Sequence, residues 1–158
     1  MIRKMILTTS LATLLLAASV AHADDDRRLP VERLDGVLEQ AAAFGFTHYQ
    51  EIEVKRDESV EVEGWLDDEW QAEVRLSLAS GESLEEERKR REGGAWGMSE
   101  ADVRLAMESA VAEGMAEFAE LQVDRDGRIE IEGYDTDGRE LEVKSRQGER
   151  DVIEVEVD

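Results

Sequence analysis

The sequence predicts an α+β protein of two tandem repeats, each one helix packed on a three- to four-stranded antiparallel sheet. Three observations predict it. The chain repeats itself at a spacing of 69 residues, each copy opens with apolar residues at helical spacing, and each copy then changes to strict alternation.

The repeat is the firmest of the three. Residues 34–87 lie over 103–156 without a gap: Glu51 to Asp57 (EIEVKRD) over Glu120 to Asp126 (ELQVDRD), Val60 to Trp65 (VEVEGW) over Ile129 to Tyr134 (IEIEGY), and Ala72 to Arg75 (AEVR) over Leu141 to Lys144 (LEVK). Glutamates coincide by chance in so acidic a chain. Two glycine pairs, an aromatic pair and the apolar alternation in one register do not. The expected organisation is a leader over 1–23, a first repeat over 24–92, a glycine-rich linker over 93–98 and a second repeat over 99–158.

In chain order, Arg3 and Lys4 precede an apolar stretch from Met5 to Val20 and an Ala21-His22-Ala23 cleavage pattern, the signature of a secretory signal peptide. The stretch is short for a membrane span, and Asp24 to Asp26 follow it at once. Cleavage after Ala23 and a periplasmic or secreted location are therefore expected. The first helix carries Leu34, Val37, Leu38, Ala41 and Ala42 on one face, with Pro30 suited to its first turn and Gly45 to its end. Period two then gives strands at Ile52/Val54, Val60/Val62 and Trp70 to Leu78, the last with Trp70 as a core residue, and the repeat asks for a fourth strand over 83–87. The rest of the charge run to Glu92, and Gly93 to Gly97, read as an exposed connection. The second helix opens at Ser99 with Glu100 and Asp102 at its positive end and presents Val103, Met107, Ala110, Val111 and Phe118. Strands follow at Leu121/Val123, Ile129/Ile131, Leu141/Val143 and 152–157, with hairpin turns at Asp126-Gly127 and Asp137-Gly138.

This order resembles the PepSY family: a helix, a strand with Glu-x-Glu-Val, a Val-Glu-Val strand, an acidic turn, an Ala-Glu-Val-Arg strand and a Ser-Gly turn before the last strand. The match runs best from Val60 to Glu87, where Leu78 to Leu84 (LASGESL) is similar to the family's turn into its final strand; the second copy departs by turning two residues earlier, at Gln147-Gly148. The resemblance implies a small extracytoplasmic domain of the kind found in protease propeptides and stand-alone exported proteins, an inhibitory or chaperoning role, and no catalytic residues. The tandem plan is also similar to that of the β-lactamase inhibitor proteins, which bind an enzyme with the open sheet face.

Composition narrows the chemistry. The net charge of −21, about −23 without Arg3 and Lys4, opposes nucleic acid and anionic membranes and suits a protein or peptide partner with a basic surface, divalent cations, or plain solubility in a salty environment. With no cysteine there is no thiolate chemistry. After processing His48 is the one histidine left, so no histidine pair or relay can form, and no enzyme is expected. No cofactor is expected either. The alternative is calcium at Asp124/Asp126 and Asp135/Asp137, where clustered oxygens precede a glycine; plain hairpin turns explain the same residues.

The open sheet face is the candidate partner site. Period two puts Glu61, Glu63 and Trp65 on one side, repeated as Glu130, Glu132 and Tyr134, with Glu73, Arg75, Glu142 and Lys144 alongside. Against this, Gly64 and Gly133 can mark a bulge that returns the aromatic to the core. Trp96, set among linker glycines, reads as a partner anchor or as a plug between the copies.

Overall fold

The computed structural model describes residues 27–158. The leader expected over 1–23 lies outside them. The described chain starts with a two-residue strand, β1 (Leu29–Pro30), and one 3₁₀ turn (Val31–Arg33) that runs into α1 (Leu34–Phe44). The strands β2 (His48–Lys55), β3 (Ser59–Trp65), β4 (Trp70–Ser77) and β5 (Ser83–Arg90) follow. After α2 (Glu100–Ala112) come β6 (Met115–Val123), β7 (Arg128–Asp135), β8 (Glu140–Arg146) and β9 (Val152–Val157).

Local chemistry sets the helix ends. Ser99 Oγ accepts the Asp102 N–H at 3.1 Å and Asp102 Oδ2 accepts the Ser99 N–H at 2.9 Å, a capping box that satisfies two orphan donors of α2. Gly45, at φ +124°, ends α1, and its N–H and that of Phe46 both reach the Ala41 carbonyl at 3.1 Å. Gly114 ends α2 earlier than its apolar pattern suggests. Phe118, expected on the helix, therefore lies in β6, while Val111 is left 44% exposed.

The expected α+β plan of two helix-on-sheet units is corrected here. The strands form one antiparallel sheet of nine, in the order β5-β4-β3-β2-β6-β7-β8-β9 with β1 added to β6, and strand dominates over two short helices. The reason is the pairing of β2 with β6, the first long strand of each half, which leaves neither half a sheet of its own. Leu34, Val37 and Leu38 of α1 and Val103, Ala106 and Met107 of α2 join Ile52, Val62, Val74, Leu121, Ile131 and Val143 in a single core on one side of that sheet. Among the described residues, the other face carries no helix.

The β2–β6 seam is symmetric in sequence. Glu51 opposes Gln122, Ile52 opposes Leu121 and Glu53 opposes Glu120, so an approximate two-fold axis passes through the equivalent pair Ile52 and Leu121. The segments before the helices obey it too. Leu29 pairs with Phe118, and Met98, its equivalent 69 residues on, bridges to Tyr49 through two 2.8 Å backbone bonds. Each half thus clips the first long strand of the other.

Two smaller expectations change. Trp70 is not core: it opens β4 at the sheet margin and is 40% exposed. The charge run does not leave the sheet after Glu87 but stays in β5 to Arg90.

Candidate binding face

Alternation across the registers places Glu51, Glu53, Glu61, Glu63, Glu73, Glu120, Glu130, Glu132 and Glu142 on the helix-free face, several directly opposite one another: Glu51 and Glu63, Glu53 and Glu61, Glu63 and Glu73, Glu120 and Glu132, Glu132 and Glu142. Like charges opposed across strands destabilise a sheet. Lysines offset part of this. Lys55 bridges Glu53 and Glu61, and Lys144 lies 2.6 Å from Glu142 and 3.7 Å from Glu154. The remainder shows as suppressed ionisation. Burial, then Glu120, Glu63 and Glu53, push the Glu51 carboxyl up to about 7. Burial first and neighbouring carboxylates second also raise Glu63, Glu120 and Glu132.

The two predicted aromatics end differently. Trp65 keeps its place on the polar face, since β3 itself is unbulged, yet it is only 2% exposed and so is corrected as an accessible anchor. The bulge is in the neighbouring strand, at Gln50. With its amide oriented to satisfy both indoles, the Gln50 oxygen accepts Trp65 Nε1 at 3.2 Å and Trp96 Nε1 at 2.9 Å. Trp96, brought over by the linker, packs partly buried against the core edge with Arg125 over its ring at 4.8 Å. Gln71 donates to Glu63 at 2.7 Å and accepts from Arg91 at 3.0 Å. Trp96 is the plug.

The two-fold axis carries this cluster to the other end of the seam. There Trp65, Gln50, Gln71 and Trp96 become Tyr134, Ala119, Glu140 and Arg27, and the space is a cavity of about 260 Å³, lined also by Glu53, Glu120 and Glu132. Tyr134 is half-buried, with the Arg28 guanidinium 4.8 Å from its ring centre. The structure therefore brings Tyr134 and Glu132 together at a concave acidic site, leaves Glu130 on the adjoining row, sets Glu61 in the cavity's own row opposite Glu53, and keeps Glu63 at the closed end, where Gln71 donates to it. Glu120, Glu140 and Ala119 escaped the sequence reading. Their signal was the mismatch of Ala119 against Gln50 and of Glu140 against Gln71 within the aligned repeat.

The aspartate turns are occupied with their own backbone. Asp124 Oδ1 accepts the N–H groups of Asp126 and Arg128, both at 2.9 Å, and Asp135 Oδ1 those of Asp137 and Arg139 at 2.8 and 3.0 Å. Among the described residues, the carboxylates that do converge are Glu130, Glu132 and Glu142, with one oxygen from each within 4.8 Å of the others. His48 Nδ1 meets the Thr47 hydroxyl at 3.1 Å.

No protein-family model matches the chain, and no curated protein matches it significantly. Among solved structures it is similar to a putative lipoprotein from Clostridium difficile 630, at 20% identity and a TM-score of 0.49 over 82% of this chain and 93% of that one. No helix of the described residues is long and apolar enough to cross a membrane.

Proposed function

We propose that this chain is an exported, non-catalytic, PepSY-like binding protein that engages a basic protein or peptide through the helix-free sheet face, centred on the cavity beside Tyr134. One observation carries the reading: glutamates stand directly opposed across adjacent strands of the helix-free face, where burial first and repulsion by neighbouring carboxylates second push the Glu51 carboxyl up to about 7. A cationic partner relieves that repulsion and gains the half-covered Tyr134 ring. The test is calorimetry with an oligoarginine peptide against the protein and its Glu120→Gln/Glu132→Gln variant. Saturable binding that weakens with salt and about tenfold in the variant supports the reading; equal binding to both removes the cavity from it. Export is checked by amino-terminal sequencing of the secreted or periplasmic protein, expected to begin at Asp24.

A second reading has its own observation. The converging oxygens of Glu130, Glu132 and Glu142 suit a divalent cation better than the aspartate turns do. Calcium that raises Tm in the native protein, but not in Glu132→Gln, would favour it.

A further inference from the structure

The sheet has two edges, and they are treated differently. Strands β5 and β9 occupy equivalent places 69 residues apart, each paired on one side among the described residues, and each carries an extra residue near its start, Leu84 and Ile153. Beyond that residue the edges diverge on the side facing the helices. In β5 that side bears Glu86, opposite Val74, and Arg88, opposite Ala72. Arg88 pairs with Glu86 and lies over the Phe44 ring at 5.3 Å. Charges at an edge oppose the addition of another strand. In β9 the equivalent positions are Val155, opposite Val143, and Val157, opposite Leu141, and they are 37% and 52% exposed, with Ile153 at 56%. An apolar row beside an unpaired backbone edge is what strand addition requires: main-chain hydrogen bonds supply affinity, and alternate side chains supply specificity.

The other face of β9 decides what can add. Glu154 and Glu156 point there, opposite Lys144 and Glu142 and continuous with the carboxylate rows. Pairing β9 with a second copy of itself would set those glutamates against their own kind in a chain of net charge −21, which argues against self-association. We propose that β9 is an acceptor edge for strand addition, and that its occupant is an extended segment of a partner protein in which apolar residues alternate with lysine or arginine. The apolar residues lie over Ile153, Val155 and Val157, and the basic ones extend the open face beside Glu154 and Glu156. The site is separate from the Tyr134 cavity; the choice of a basic occupant follows from the local glutamates and does not need that cavity.

The experiment uses an acetylated, amidated hexapeptide alternating valine and lysine, and the same peptide N-methylated at every second residue on its pairing edge. Strand addition predicts binding of the first, slowed amide hydrogen exchange in β9, and loss of at least about tenfold in affinity on N-methylation. The Val155→Lys variant, which copies the charged character of β5, is expected to weaken the unmethylated peptide by a similar factor with little change in Tm. Equal binding of both peptides overturns the proposal while leaving the face reading intact, because N-methylation keeps every charge. A sedimentation profile showing a dimer that Val155→Lys dissolves also overturns it, since the occupant is then a second copy. If Val155→Lys unfolds the protein, the peptide pair still decides.

Discussion

The two ends of the β2–β6 seam share a backbone and differ chiefly in four pairs of side chains. At one end Gln50, Trp65, Gln71 and Trp96 close the polar face with indole-to-amide hydrogen bonds. At the other, Ala119, Tyr134, Glu140 and Arg27 leave a cavity. One end has become part of the structural body and the other remains an acidic recess. The difference lies in side-chain volume and charge at positions the fold treats alike.

Changes to the shared backbone should hit both ends equally and hardest. A Cβ at Gly64 would stand 2.0 Å from the His48 carbonyl oxygen, and one at Gly133 would stand 2.2 Å from that of Glu117. Gly64→Ala and Gly133→Ala are each expected to cost several kcal/mol, roughly 3 or more, in chemical denaturation, because the obstructing atoms are backbone. A large loss at one glycine and none at the other would break the equivalence of the two ends.

Next come the aromatics. Trp65→Ala empties a buried site and should destabilise by roughly 3–5 kcal/mol, whereas Tyr134→Ala should cost under about 1 kcal/mol and weaken the oligoarginine peptide instead. Comparable stability losses would mean that Tyr134 is as structural as Trp65. Rebuilding the closed end at the open one sharpens the contrast. The triple substitution Arg27→Trp, Ala119→Gln and Glu140→Gln should fill the cavity and abolish the peptide's binding there.

The smallest expected effect is on pH. The carboxyl of Glu51 rises from its ordinary value near 4.5 to about 7 on folding, so the folded state holds a proton that the unfolded chain has released. Its contribution is destabilising above about pH 7 and fades as pH falls toward 4.5. Because Glu51 is partly exposed, solvent screening reduces this to about 1 kcal/mol, or a few degrees of Tm, between pH 8 and pH 5.5. Thermal melts of Glu51→Gln should be higher at pH 8 and flatter with pH.

Much of this was legible in the chain. The repeat located every long strand but overshot one helix: Phe118 fits the helical apolar stripe of α2 as well as it fits a strand, and only the break at Gly114 assigns it to β6. Alternation also put Trp65 and Tyr134 on the polar face. Burial of Trp65 was not legible, because the Gln50 amide that takes its indole N–H also takes that of Trp96, which comes from a linker whose path no periodicity describes. The aspartate turns show the converse: oxygens close in sequence accept neighbouring N–H groups, as plain hairpin turns do, while the converging glutamates come from β7 and β8.

By itself the sequence determined the acidity, the duplicated order of helix and strands, and which residues of each strand face apolar or polar surroundings, since these follow from composition and from periods of 3.6 and 2. Tertiary structure alone decided that the halves share one sheet, that each is clipped by the segment preceding the other's helix, and that one end of the seam closes. Those outcomes rest on pairings between residues far apart in the chain, set by where backbone edges meet and by which side chains fill the space between them, and neither quantity is carried by local pattern.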